Sequence, residues 1–429
     1  MPRALTCVLV VGFAFSAGDV ARAGWQGPVR LDGAALSVPA AAVNARGDAV
    51  VAWATESGAV RVALRRAGAR FAAPRLLARG GSGSQRAVAT AMAADGTAVV
   101  AWAKASRTTP RYRVLAAICR RGRCAAARIV GSSTTALRAQ PELQVAPRGE
   151  VLLLWRRDDV PFQVARLRAN ATRFGAPLTP LRLPISELAW SIAPTGRLQL
   201  VWTADGPDGP FIAHTSGRLG GRFKAVQPIS PSGRRAPAIA VSPANAPMVA
   251  YAAADGVDVT VSSPGFERFE APQRISPAGV RVLSPRLVAG PRGRALVTWG
   301  GSGGGRPDPG DRATAWSWLS SRAPAAAFGM AAPLTPAGVW AAAPATAIDG
   351  EGTATAAIVS TTGASARLEL RRGMPGTPLP APTLVITAPR ADDAHLAWFS
   401  AAASAAGRHT IVAWSRGLRG PIAVYSYDA

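Results

Sequence analysis

Gly96-Thr-Ala-Val-Val-Ala-Trp102 and Gly149-Glu-Val-Leu-Leu-Leu-Trp155 follow one plan: a glycine that closes a turn, five mostly apolar residues, then an aromatic. A short run that is apolar at successive positions, rather than at alternate ones, predicts a strand buried on both faces. The same phrase runs from Gly47 to Trp53, Gly196 to Trp202 and Gly293 to Trp299, with weaker copies from Asn245 to Tyr251, Gly352 to Ile358 and Gly407 to Trp414. The final residues of these phrases recur at intervals of 47 to 59 residues along the 429-residue chain. Eight units at that period point to blades or solenoid coils rather than to independent domains.

Each unit reads as four strands. An apolar first strand, such as Pro141-Glu-Leu-Gln-Val-Ala146, precedes a turn such as Ala146-Pro147-Arg148-Gly149, in which proline presets φ and glycine takes the left-handed position. The Gly-to-Trp phrase is the second strand, an alternating segment such as Val60-Arg-Val-Ala-Leu-Arg65 is the third, and the fourth opens on aromatic-x-x-Pro, as in Phe71-Ala-Ala-Pro74 and Phe269-Glu-Ala-Pro272. The last unit stops after its third strand, around Val424, while Trp25-Gln-Gly-Pro28 carries the fourth-strand pattern with no unit before it. An N-terminal strand that completes the C-terminal blade closes a propeller and protects its edges. The expectation is therefore all-β: a single β-propeller of eight four-stranded antiparallel blades, with seven as the alternative. Blades are expected to start near 37, 87, 139, 187, 236, 283, 343 and 394, with 24–36 supplying the outer strand of the last.

The turns Ala94-Asp95-Gly96, Ala146-Pro147-Arg148-Gly149 and Ala193-Pro194-Thr195-Gly196 resemble the Ser-Pro-Asp-Gly turn of exported bacterial propellers of the Tol-system and WD-repeat-like kind. The resemblance covers residues 24–429 and implies a binding platform, since its motif is a structural turn and not a site. Sialidase-like propellers are similar in overall shape only. Their Ser-x-Asp-x-Gly-x-x-Trp box is missing from every unit, so no catalytic residue transfers.

Residues 1–23 read as an export signal, with a basic start at Arg3, an apolar run from Ala4 to Phe15 and a small-residue stop at Ala21-Arg22-Ala23. The uncharged stretch from Ala323 to Ile348 carries Pro324, Pro333, Pro336 and Pro344 and is rejected as a membrane span. The expected location is extracellular or the cell envelope. Cys119 and Cys124 flank a short turn containing Gly122, which predicts a disulfide under oxidising conditions. With only His214, His395 and His409 in the chain, no metal site and no cofactor are expected.

The formal charge is +25, and all but Lys104 and Lys224 of the 49 basic residues are arginine. Such a field favours anionic partners in general, although the Ala, Gly, Pro and Arg content is also that of a GC-rich bacterial genome. The most distinctive surface segment holds Lys104, Arg107, Arg111 and Arg113. With Arg156, Arg157 and Arg416 from equivalent loops it could form an anion-binding arc on one rim, because guanidinium groups suit carboxylates and phosphates.

Catalytic signals are weak. Gly300-Gly-Ser302-Gly-Gly304 matches a nucleophile elbow in letters, but the proline-rich stretch after it cannot form the required helix. Asp158, Asp159, Asp205, Asp208, Asp255, Asp308 and Asp311 lie in loops that share one rim, where paired carboxylates could cleave a glycan, but aspartates beside glycine and proline are ordinary turn formers. The recurrent tryptophans read as packing between blades. The leading expectation is an exported, non-catalytic binding or scaffold propeller that engages an anionic or glycan-like partner, leaning away from an enzyme. The alternative is a glycan hydrolase or lyase with carboxylates converging on the rim, and a passive surface element is a third reading.

Overall fold

The computed structural model describes residues 24–31, 39–80, 88–105, 112–133, 141–156, 162–183, 185–263, 268–282, 285–303, 315–323, 326–336, 339–341, 344–362, 365–389, 399–416 and 422–428. These form eight antiparallel sheets and a single short 3-10 turn, Pro291–Gly293. No helix among them is long and apolar enough to cross a membrane.

Blade 1 shows the plan: Ala40–Val43 innermost, then Ala49–Ala54, Val60–Arg65 and Arg75–Ala78 outward. The turns between first and second strands carry Gly47, Gly96, Gly149, Gly196, Asn245, Gly293, Gly352 and Gly407, all at positive φ, where glycine and asparagine are tolerated and branched side chains are not. Blade 3 replaces its fourth strand with an isolated bridge between Val164 and Leu178. In blades 6 and 7 the innermost strand is broken in two, as Val280–Val282 with Arg286–Ala289 and as Trp340–Ala341 with Ala345–Ile348.

The aromatic-x-x-Pro motif differs from its sequence reading. Phe269 forms an isolated bridge to the end of the third strand, and in blades 1 and 5 the outer ladder begins only after the proline, at Arg75 and Gln273. Proline has no N–H to give a ladder, so in blades 1 and 5 the motif serves as the loop into the fourth strand, whereas Trp25-Gln-Gly-Pro28 lies within the closing strand, whose register shifts between Gln26 and Val29.

Ring closure follows the expectation. Trp25–Leu31 pairs antiparallel with Ile422–Asp428, placing Trp25 opposite Tyr427 and Val29 opposite Val424. Consecutive residues of each second strand serve opposite neighbours. Val50 and Ala52 pack with blade 2, while Ala49, Val51 and Trp53 pack with Leu31, Ile411 and Val424 of blade 8. Clusters of this kind fill every inter-blade boundary around the ring, which is why the second strands are apolar at every position. The phrase-ending residues Trp53, Trp102, Trp155, Trp202, Tyr251, Trp299, Ile358 and Trp414 are all buried.

This topology creates two faces. One, here the turn face, carries the first-to-second turns and the third-to-fourth loops. The other, the loop face, carries the hairpins after the tryptophans and the links between blades. Cys119 and Cys124 are directly opposite in a hairpin on the turn face and are joined by a disulfide.

Candidate functional site

The innermost strands line the axis, and their register defines equivalent positions in all eight blades. Opposite the residue that precedes each phrase-ending position stand Ala40, Ala89, Glu142, Ala189, Ala238, Arg286, Ala345 and Ala402. Six blades place alanine there. Blade 3 places a carboxylate and blade 6 a guanidinium.

Glu142 and Arg286 are both solvent-accessible, yet protein surrounds them closely enough to perturb their ionisation. Burial pushes the Glu142 carboxyl up, overcoming the opposing effects of the Trp190 hydrogen bond and the positive charge of Arg156. Burial likewise lowers Arg286, although a guanidinium stays charged throughout the physiological range. A side chain that water reaches while protein walls it in is what the lumen of a narrow axial channel provides.

Blade 4 holds Glu142 in place. The buried Trp190 donates its indole N–H to Glu142 Oε2 at 2.7 Å. Two residues along, Gln144 Nε2 donates to the Trp190 carbonyl at 2.9 Å and Gln144 Oε1 accepts from the Ile192 amide at 3.1 Å. Gln144 thus acts as a short piece of ladder between blades, and ties the strand that carries Glu142 to the strand that carries Trp190.

A second carboxylate lies nearer the loop face. Glu187 sits in a bulge between Ser186 and Ala189 and adopts φ 47°, and its equivalent in blade 5, Ala236, sits in a matching bulge at φ 48°. Left-handed backbone at non-glycine residues is uncommon and is held by specific bonds. Here Glu187 Oε2 accepts from Thr203 Oγ1 at 2.7 Å and from the Ala236 amide at 2.9 Å. The bulges turn the inner strands of blades 4 and 5 outward at the mouth of the channel.

The residues expected to form an arc distribute as follows. Lys104 and Arg113 face each other across the blade 2 hairpin, and Arg156 follows Trp155 close enough to Glu142 to act on its charge. Arg107, Arg111 and Arg157 lie outside the described residues, as does the side chain of Arg416, whose backbone pairs with Phe399. Among the rim aspartates, Asp158, Asp159, Asp308 and Asp311 also lie outside them. Asp205 and Asp208 are exposed in a turn, and Asp255 is bound at 2.9 Å by Arg274, whose hydrogen bond holds its carboxyl below the usual range. Gly300 to Gly303 continue the second strand of blade 6, so Ser302 is not on a strand-to-helix elbow.

Glu142, Arg286, Glu187 and Trp190 were not among the sequence candidates. A signal for the ring pair was present: aligning the units on their turns sets Glu142 and Arg286 against alanines. Its meaning depends on knowing that this column faces the axis.

No family model matches the sequence, and no curated protein matches it. Solved structures do match over nearly the full chain. A polysaccharide lyase of family PL25, an ulvan lyase, superposes with a TM-score of 0.51 at 10% identity, covering 93% of this chain and 95% of that one. The same kind of lyase bound to -[GlcA(1-4)Rha3S]- gives 0.50 at 9% identity over 93% and 95%. The polysaccharide lyase Uly1 gives 0.50 at 9% identity over 94% and 99%. The chain shares their fold. At such identity the likeness carries no residue across, but it corrects the leading expectation of a non-catalytic scaffold: these three neighbours, which share the whole ring, are polysaccharide lyases. The sequence search for carboxylates went to the aspartate-rich loops, whereas the carboxyl raised by burial sits on an inner strand.

Proposed function

We propose that this protein is a glycan-cleaving enzyme acting on an acidic polysaccharide at the loop-face mouth of the axial channel, with Glu142 as the proton donor to the departing glycosidic oxygen. The observation that carries this reading is the raised Glu142 carboxyl, oriented by Trp190 in a ring otherwise built of alanine and one arginine. A carboxyl kept protonated into the range where ordinary glutamates have ionised is the form that donates to a leaving group.

Glu187, in the neighbouring blade, is the second carboxylate that hydrolysis needs to activate water. Arg286 favours a second reading: a guanidinium facing a uronate carboxylate acidifies the adjacent C–H and suits β-elimination, in which the Glu187 carboxylate would take that proton while Glu142 protonates the departing oxygen. Lys104, Arg113 and Arg156, with Arg107, Arg111, Arg157 and Arg416, would draw a polyanion to this mouth by long-range attraction. The disulfide and the leader-like first 23 residues support action outside the cytosol, in the medium or the envelope.

The test is cleavage of a panel of uronate-containing and sulfated polysaccharides by the wild type and by Glu142→Gln. New reducing ends without ultraviolet absorbance indicate hydrolysis, and reducing ends with the absorbance of an unsaturated uronate indicate elimination. Glu142→Gln is expected to slow either by about 10²- to 10⁴-fold on natural substrate. It should be far milder on a glycoside with a nitrophenyl leaving group, which needs no proton. Equal loss on both substrates would show that Glu142 does not donate the proton.

A further inference from the structure

A basic cleft lies on the turn face, at the opposite end of the ring from the loop-face mouth. Between blades 1 and 2, a cleft of about 670 Å³ is lined by Arg46, Arg65, Arg66, Arg70, Arg75, Arg121 and Arg123, against only Asp48 and Asp95. Its floor is apolar, formed by Val62, Leu64 and Met92 beside the disulfide-bonded Cys119.

Part of this charge is already spoken for. Arg46 pairs with Asp48 at 2.8 Å, and the buried Arg65 lies 3.6 Å from Asp428 and over the Phe71 ring. Asp95 binds the Thr97 amide and hydroxyl within its own turn. Arg66 donates to the Arg121 carbonyl at 3.0 Å and so ties the loop of blade 1 to the disulfide hairpin of blade 2. Arg70, Arg75, Arg121 and Arg123 have no acceptor among the described residues, and all four are exposed around the same cleft. Four unpaired guanidinium groups converging on one concavity repel one another, so the arrangement is most stable with anions between them.

The size and lining narrow the ligand. The volume falls within the range of small-molecule sites and is too small for a nucleic-acid duplex. None of the lining residues is aromatic, so a base would find no stacking partner. Guanidinium forks match tetrahedral oxyanions bidentately. We infer that this cleft is a binding site for a compact ligand bearing two or more sulfate or phosphate groups, held by Arg70, Arg75, Arg121 and Arg123. It is separate from the proposed catalytic mouth: one lies on the turn face, the other on the loop face.

The shared chemistry has two sources, a sulfated glycan segment or a free polyphosphate-like ion, and titration calorimetry with each separates them. Sulfated tetrasaccharide and inorganic tripolyphosphate are titrated into the wild type, into Arg70→Gln/Arg123→Gln, and into Arg222→Gln, an exposed arginine in blade 4 on the same face. The expected result is saturable binding of at least one probe, weakened about tenfold or more in the double variant and unchanged in Arg222→Gln. The apparent affinity of the wild type should also fall more steeply with salt than that of the double variant. The probe that binds more tightly identifies the source. Absence of saturable binding of both probes, or equal affinity in the wild type and the double variant, would overturn the inference. Thermal melts of the variants verify that exposed substitutions leave the fold intact. Because Glu142→Gln leaves this cleft untouched, it should bind the probes as the wild type does, so failure of the cleavage proposal is read independently.

Discussion

Replacing Trp25 with alanine probes the closure of the ring at its single seam. Trp25 is 5% exposed, meets Tyr427 edge-on with centroids 5.6 Å apart, and donates its indole N–H to Thr383 Oγ1 at 3.1 Å. It therefore joins the terminal strand both to blade 8, which that strand completes, and to blade 7. A tryptophan this buried removes roughly 200 Å² from water, worth about 5 kcal/mol at about 25 cal/mol per Å² as an upper bound. Large aromatic-to-alanine truncations in cores cost about 3–5 kcal/mol. The lost hydrogen bond adds little, because Thr383 Oγ1 keeps its own bond to the Leu370 carbonyl at 3.0 Å. The working figure is about 4 kcal/mol, a large share of the marginal stability of a folded protein. Trp25→Phe, which keeps an edge-on ring and gives up the N–H, should cost about 1–2 kcal/mol. Urea denaturation followed by far-ultraviolet circular dichroism measures both. If Trp25→Ala falls within about 0.5 kcal/mol of the wild type, the terminal strand does not hold the ring, and the argument from closure is refuted.

Four further outcomes follow from three other sites. The Glu142 carboxyl is raised, so the cleavage rate should decline on the alkaline side at a pH above the ordinary carboxylate range, and Glu142→Gln should lose that limb. The same residue should make the Gln variant more stable than the wild type at neutral pH. A raised folded-state pKa means that stability is lost as pH rises above the unfolded value, which denaturation at two pH values will reveal. His214, buried between Gln199 at 2.9 Å and Gln227 at 3.1 Å, is lowered by burial to about 4. Above pH ~6.5 it is neutral in both states; as pH falls from there toward 4 only the unfolded chain takes up the proton. About 3 kcal/mol of stability should be lost across that window, and the difference curve against His214→Gln isolates it. Finally, Cys119→Ser/Cys124→Ser should cost about 2 kcal/mol, as the small loop closed by the bond implies, measured by denaturation under non-reducing conditions.

Much of the fold was legible because its determinants are local. Turn glycines, the proline before them and an unbroken apolar strand each act through a few neighbouring residues, and eight repetitions make the pattern unmistakable. The two ends were readable for the same reason, since Trp25 to Leu31 carries an outer-strand signature with no inner strands before it. The disulfide followed from a spacing that a hairpin must satisfy.

The candidate site was not legible, and the reason is geometric. Glutamate at 142 and arginine at 286 look like ordinary polar residues on short strands. Only when eight strands meet around an axis do these two take equivalent places in one ring, three blades apart, where the surrounding protein shifts the ionisation of each. The link between Glu142 and Trp190 crosses 48 residues, and the bond from Glu187 to the Ala236 amide crosses 49, spans that no local motif encodes. The arginine cleft likewise draws on a loop of blade 1 and a hairpin of blade 2. The sequence by itself therefore determined the repeat, its strands and its closure, because those depend on backbone conformation and burial within each unit. Tertiary structure alone decided which charges meet, because desolvation and electrostatic coupling depend on distance in space and not along the chain.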